Sequence, residues 1–367
     1  MLLRWLEVTD FRMHKSVALQ PSEGLTVIRG PNGSGKTSLL EAIGYLATLS
    51  SFRGAGSVDL IRAGTAGAIL RGEFAVTDRR LLVETEVRPA GERNRTQVNR
   101  QPLRRAADLQ EQVPVLTFQP DDLLVVKGSP GSRRDAIDGA VVSLNPRVAE
   151  DRRRLSVCLR QRNALLRQIG PGGGQRMDAD SRRSLDIWDD RLAAAAETWA
   201  SHRRRTVEEL QPRMERLFRR LSGDATVPVD MAYEPGWLAT GLAVALTEAR
   251  GEDLQRSVTT VGPHRDDLEW SLDRLPARTH ASQGNQRCLS LALRLALHET
   301  MTEAGGEPPL LLLDDVFSEL DATRQAQLLE LLPAGQVLLA TAGEVPPAAR
   351  PAEVLSIDEL PATAAAR

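Results

Sequence analysis

Lysine, cysteine and aromatic residues are all scarce in this chain, and most of these scarcities exclude something. Of 47 basic residues only three, Lys15, Lys36 and Lys127, are lysine, a bias read as genomic rather than functional. Two cysteines, Cys158 and Cys288, stand far apart with no CxxC or histidine partner spacing. That speaks against a disulfide or a zinc site and for packing thiols in a reducing compartment. Aromatics are 4% of residues, too few for a platform that stacks single-stranded bases. No apolar run approaches the roughly 18 residues that cross a bilayer. The start, Met1 to Asp10, carries Arg4, Glu7 and Asp10 without cleavage-type small residues, so the expected location is the cytoplasm. Excess charge is also missing: 47 Lys+Arg stand against 49 Asp+Glu, so any nucleic-acid contact must come from a local patch. What remains is a globular chain of 367 residues, enough for two domains of about 150 residues each.

Along the chain, Leu2 to Val8 and Leu25 to Ile28 read as strands with a turn region at Phe11 to Ser16, and a helix begins after Gly35. Its apolar positions Leu39, Leu40, Ile43, Leu46 and Leu49 predict one face packed on a sheet. Ala68 to Val76 and Arg80 to Val87 are strand-like, Pro89 to Arg95 is a hairpin turn, and Val113 to Phe118 is a further strand. From Asp135 to Leu221 the texture becomes helical. Leu155, Leu159, Arg162, Leu166 and Ile169, then Leu185, Trp188, Leu192, Ala195 and Trp199, step by threes and fours as coiled-coil seams do. The spacing predicts a helical hairpin with a mobile tip at Gly170 to Gly174 and a kink or split at Pro212. After Ser257, strand and helix alternate as a parallel α/β sheet requires, and the Ala- and Pro-rich stretch from Val345 is expected to fray.

Gly30-Pro31-Asn32-Gly33-Ser34-Gly35-Lys36-Thr37 matches G-x-x-x-x-G-K-[ST] between an apolar strand and a helix, the context that makes this motif meaningful. Glycines let backbone N–H groups converge on phosphate, Lys36 neutralises charge on the β and γ groups, and Thr37 offers a hydroxyl to Mg²⁺. Leu310-Leu311-Leu312-Leu313-Asp314-Asp315 supplies the second requirement, a buried strand ending in acids. Asp314 is expected to serve Mg²⁺ and Asp315 the attacking water, which makes Asp315, Lys36 and Asp314 the candidate catalytic set.

Together with Ser282-Gln283-Gly284-Asn285-Gln286-Arg287 and Val316-Phe317-Ser318-Glu319-Leu320-Asp321, these motifs resemble the RecF family of recombination-repair ATPases. Phe11-Arg12, Ser51-Phe52-Arg53, Gly128 to Arg134 and Val261 to Asp267 are similar to further landmarks of that family, so the likeness covers most of residues 1–341. The resemblance implies an α/β fold: an ABC-type P-loop ATPase head with a mixed sheet, related to SMC and Rad50 heads, plus a short α-helical arm domain. On this reading 1–134 and 258–345 form a discontinuous head, 135–257 the arm and 346–367 a tail.

The resemblance also implies that ATP on one subunit is capped by the signature Ser282, Gln283 and Gly284 of a second, in an ATP-dependent homodimer. It places Gly30, Asn32, Gly33, Ser34, Gly35, Lys36, Thr37, Ser38 and Arg12 at the nucleotide and makes Asp321 the residue coupling the two sites. Gln119 reads either as a third metal-site residue, beside Thr37 and Asp314, or as an exposed turn residue. Two departures matter: Asp315 stands where most ABC heads carry glutamate, which lengthens the reach to water and suits slow turnover, and Asn285 replaces a usual Gln or Glu.

Arginine clusters at 133–134, 152–154, 182–183, 203–205 and 219–220 are candidate contacts to DNA phosphates. The family likeness implies binding to duplex DNA near single-strand gaps and cooperation with RecR and RecO family proteins in placing RecA. Two other readings are the soluble ATPase subunit of a membrane transporter and a small-molecule kinase. The first fits poorly because about 250 residues separate P-loop from signature and Thr341-Ala342, not histidine, follows the last strand. The second leaves the signature unexplained.

Overall fold

The computed structural model describes residues 1–170, 177–224, 226–318 and 320–363, the side chains of Leu123 and Pro347 excepted. In chain order the elements are β1 (Leu2–Phe11), β2 (His14–Leu19), β3 (Leu25–Arg29), α1 (Lys36–Thr48), α2 (Ser57–Leu60), β4 (Ala68–Val76) and β5 (Arg79–Val87). Then come β6 (Arg95–Val98), β7 (Gln101–Pro102), α3 (Ala106–Gln110), β8 (Val115–Phe118), α4 (Leu124–Lys127), α5 (Pro130–Leu144), α6 (Ala149–Ile169) and α7 (Ala179–Ser222). The rest are β9 (Val229–Ala232), α8 (Leu242–Arg256), β10 (Glu269–Leu272), β11 (Leu275–Pro276), α9 (Ala277–His280), α10 (Gln283–Gly305), β12 (Leu310–Asp314), α11 (Ala322–Leu331), β13 (Val337–Thr341) and β14 (Glu353–Ser356).

The chain divides into two compact units, one of Met1–Asp122, Leu217–Ala225 and Arg287–Arg367, the other of Leu123–Arg216 and Thr226–Gln286. These limits fall up to some thirty residues from the composition shifts at Asp135 and Ser257, because helices cross them: α7 and α10 each begin in the second unit and end in the first.

The first unit holds two sheets. One is antiparallel, in the order β2-β1-β4-β5-β6-β7; the other is all parallel, in the order β14-β3-β13-β12-β8. Leu310 to Asp314 and Val337 to Thr341 are buried at every position, as strands covered on both faces must be. Helix α1 differs from the one-faced helix its spacing suggests. Lys36 and every residue from Ser38 to Ala47 are buried, because leucines from β1, β4, β12 and β13 join α1 in one core. The turn expected over Phe11 to Ser16 is shorter than that: Arg12 and Met13 make it, with Arg12 in left-handed backbone (φ +53°), and β2 pairs antiparallel to β1. The tail expected from Val345 is a second correction. Its residues 353–356 form β14, paired parallel to β3, and Ile357 is buried.

The second unit carries α4 to α6, most of α7, α8 and the small sheet β11-β10-β9. Of the tip expected at Gly170 to Gly174, only Gly170 lies within the described residues. Pro212 does not split the returning arm, and α7 runs through it. Buried Leu210 and Met214, and Gln211 bonded through both amide atoms to Val229 and Met231 of β9 (2.7 and 2.9 Å), outweigh a proline penalty of about 3 kcal/mol. Arg162, counted among the apolar seam positions, is an ionic node: fully buried, it binds Asp189 of α7 (2.5 Å), and Asp253 of α8 and Thr259 (2.6 and 2.9 Å).

Candidate nucleotide site

The site grows out of the parallel sheet, where β3 ends at Arg29 and the chain turns through Gly30–Gly35 into α1. Gly33 and Gly35 adopt left-handed backbone (φ +80° and +99°), which a side chain would strain. The Lys36 ammonium, 7% exposed, donates to the carbonyls of Gly30 and Pro31, each at 2.8 Å, and has no carboxylate partner among the described residues. Thr37 follows, and its hydroxyl donates to Asp314 Oδ1 at 2.9 Å, joining two motifs 277 residues apart.

Asp314 closes β12 and is 6% exposed. Burial pushes its carboxyl pKa up, the Thr37 hydrogen bond opposes that, and the charge of Asp315 adds to it; Arg53 and Lys36 pull it back. Asp315 leaves the strand in left-handed backbone (φ +49°), with its N–H on the Ala340 carbonyl of β13 (2.9 Å). Its Oδ1 is buried without a hydrogen-bond partner among the described residues, and so is the Ser34 hydroxyl in the P-loop. Buried polar atoms are seldom left so, and those that are demand an explanation. A hydroxyl, a carboxylate and orphaned oxygens at the mouth of a glycine cradle fit a triphosphate with a hard divalent cation, which takes oxygen ligands.

Gln119 stands one residue beyond Phe118, which pairs with Leu313, so it follows the end of the neighbouring strand β8 level with Asp314. Its amide donates to the Phe52 carbonyl at 3.0 Å. The Arg12 guanidinium grips Glu41 of α1 through two bonds of 2.8 Å and donates to the Asp59 carbonyl at 2.8 Å. Asp321 caps α11, accepting from the Arg324 backbone N–H at 2.9 Å, which holds its pKa below the usual carboxylate range. The signature segment belongs to the second unit. Ser282 caps α10 by accepting from the Asn285 N–H at 3.2 Å, and Ser282 and Gln283 are exposed at the helix start. Glu319 lies outside the described residues.

Sequence reasoning missed three contributors. Glu41 is fully buried and takes both the Arg12 fork and the Ser51 hydroxyl (2.5 Å); a lone acid inside an otherwise apolar helix was its signal. His14 donates from Nε2 to the Gly35 carbonyl at 3.0 Å, and its ring carbon would lie 2.6 Å from any Cβ at Gly35. Ile357 packs on Gly30, and nothing local in the sequence announces it.

The arginine clusters divide. Arg133 and Arg203 are buried and paired with Asp267 and Asp138, so they serve the fold rather than a helix surface. Arg153, Arg154, Arg182, Arg183, Arg204 and Arg205 are exposed on α6 and α7.

The family model described as the RecF/RecN/SMC N terminal domain matches residues 2–341. The protein named DNA replication and repair protein RecF of Acidothermus cellulolyticus is 41% identical over 93% of each chain, and that of Streptomyces avermitilis is 39% identical over 92% of each. The chain belongs to the RecF family. Among solved structures, one described as the recombination mediator protein RecF-ATPrS in the RecFOR pathway matches with a TM-score of 0.84 at 27% identity, covering 94% of this chain and 93% of that one. An SMC head domain from Pyrococcus furiosus, 18% identical with a TM-score of 0.53 over 93% of this chain and 89% of that one, shares the fold. RecF and SMC heads thus share this α/β architecture, and no helix among the described residues is long and apolar enough to cross a membrane.

Proposed function

We propose that this RecF-family chain is a DNA-repair ATPase that closes into a dimer on ATP, holds duplex DNA near single-strand gaps, and works with RecR and RecO family proteins in loading RecA. The observation that carries the reading is the 2.9 Å hydrogen bond from Thr37 to Asp314, beside the unpartnered Oδ1 of Asp315. Thr37 and Asp314, with Gln119 level beside them, are the residues to hold Mg²⁺, which when bound neutralises phosphate charge. Lys36, held by the Gly30 and Pro31 carbonyls, exchanges them for phosphate oxygens. Asp315 orients the attacking water. An aspartate in that role reaches less far than a glutamate, so hydrolysis is slow, quickens on DNA and times release.

Ser282 and Gln283, exposed at the start of α10, and the half-buried Gly284 act on the second subunit's nucleotide, with Asp321 coupling the two sites. DNA affinity comes from the exposed arginines of α6 and α7. Their partners, such as Glu150 for Arg153 and Glu208 for Arg204, are exposed pairs worth at most about 1 kcal/mol and give way to phosphate.

The test is titration of a fluorescent duplex with Asp315→Asn, with and without ATP and Mg²⁺, across a range of salt, with Lys36→Ala as control. Binding that requires ATP and weakens steeply with salt is the expected result; binding indifferent to ATP would sink the proposal.

A further inference from the structure

The stretch beyond residue 341 lies outside the family match, yet it runs beside the P-loop strand. Strand β14 pairs parallel to β3, with Ser356 opposite Arg29, the residue just before the P-loop. Upstream, the Ala352 N–H donates to the Leu25 carbonyl (2.9 Å), and the Glu353 carboxylate accepts from the Ser22 N–H (3.0 Å). Downstream, the Ala18 N–H of β2 donates to the Pro361 carbonyl (2.7 Å), and Thr363 meets the Ser16 hydroxyl through its own hydroxyl (2.6 Å) and its N–H (2.8 Å). Between these anchors Leu355 and Leu360 pack on the core, and Ile357 is 6% exposed within it.

Ile357 meets the P-loop. Its Cγ2 methyl lies 2.4 Å, and the Ser34 hydroxyl 2.7 Å, from the point a Cβ on Gly30 would occupy, so the methyl is the nearer of the two groups that fill the space glycine leaves open. Gly30 lacks the left-handed backbone of Gly33 and Gly35, so room rather than φ is what demands glycine there. The carbonyl of this same glycine is one of the two that hold Lys36.

We propose that residues 353–363 form a strap across β3 and β2 whose Ile357 methyl is a positioning group for the P-loop, setting Gly30 and through it Lys36 for nucleotide. Nucleotide affinity then depends on a side chain outside the span that matches the family. The proposal rests on the reading of Gly30 to Thr37 as the nucleotide site.

The experiment measures binding of a fluorescent ATP analogue, and steady-state hydrolysis of ATP, on the full chain. Ile357→Ala is expected to weaken binding about tenfold and raise KM with kcat unchanged, as loss of a binding contribution does. Ile357→Val keeps the Cγ2 methyl and stays within about twofold of wild type. Gly30→Ala abolishes binding, and Gly30→Ala with Ile357→Ala recovers part of it, the coupling expected of atoms in contact. Ser16→Ala, which loosens the far anchor without touching Gly30 or the core, lowers affinity about twofold and provides a reading should Ile357→Ala fold poorly. A wild type that binds while Ile357→Ala binds equally well, or Val and Ala variants that lose equally, overturns the strap alone. A wild type that binds no nucleotide overturns the nucleotide reading and the strap with it.

Discussion

Each unit buries cations, and the two treat them differently. In the second unit Arg203 is 3% exposed at its side chain, donates twice to the Asp138 carboxylate (2.7 and 3.0 Å) and once to the Pro263 carbonyl (2.8 Å), and lies over the Tyr233 ring. Burial works against its charge, but the hydrogen bonds and charge of Asp138 carry its pKa above the ordinary arginine value. Lys36 in the first unit has two carbonyl dipoles and, among the described residues, no carboxylate. Cations locked to carboxylates hold a fold, whereas a cation resting on dipoles is free to be claimed by a stronger anion. The same contrast applies to acids: Asp138 is saturated by Trp199, Arg203 and Arg152, while Asp315 keeps an oxygen unused.

The contrast breaks first on the two cations themselves. Lys36→Ala should abolish ATP binding by calorimetry while leaving stability within about 1.5 kcal/mol of wild type. Arg203→Ala, which takes from buried Asp138 its two-bonded cation and leaves it Trp199 and Arg152, should cost about 3 kcal/mol in urea denaturation. The distinction collapses if the lysine variant unfolds or the arginine variant does not. Next in size, Asp315→Asn should bind ATP, hydrolyse it about 10²- to 10⁴-fold more slowly in a phosphate-release assay, and accumulate as a dimer on a sizing column. Wild-type turnover in that variant would remove Asp315 from the chemistry. Ser282→Arg sharpens the reading: nucleotide binding persists, but ATP no longer shifts the sedimentation coefficient toward a dimer.

The smallest effect is on acid stability. Each unit seats a histidine on a backbone carbonyl, the buried His298 on that of Pro309 (3.1 Å) and the half-buried His264 on that of Thr259 (3.0 Å), and desolvation lowers the pKa of both. Below the ordinary value of about 6.5 the unfolded rings take up protons that the folded ones refuse, so stability is lost as pH falls toward the lowered folded values. His298→Gln should flatten the fall in melting temperature between about pH 6.5 and 5. An unchanged slope would show that the ring is protonated in the fold.

The phosphate loop, the acid-tipped strand and the signature were legible because each is contiguous and its chemistry tolerates few residue types. The parallel sheet was legible because doubly covered strands read as unbroken leucine. What escaped depends on partners distant in sequence. Arg162 looks like an interruption in a seam until Asp189 and Asp253 arrive from two other helices. Glu41 looks like a stray acid in α1 until the Arg12 fork arrives from 29 residues away. Helix α1 was given one buried face because spacing alone cannot report a second sheet. Ala- and Pro-rich composition hid β14, since an edge strand of four residues needs little more than a partner.

The order of the parallel sheet also bears on how the molecule comes into being. Strand β3, which delivers the P-loop, is flanked by β13 and β14, strands synthesised more than 300 residues later. Pairings of such long sequence separation are slow to close, and a nascent chain bearing the loop has neither neighbour to fix it. Nucleotide binding is therefore among the last properties this chain acquires on the ribosome, and a product halted between Thr37 and residue 337 would carry the whole motif and none of its function.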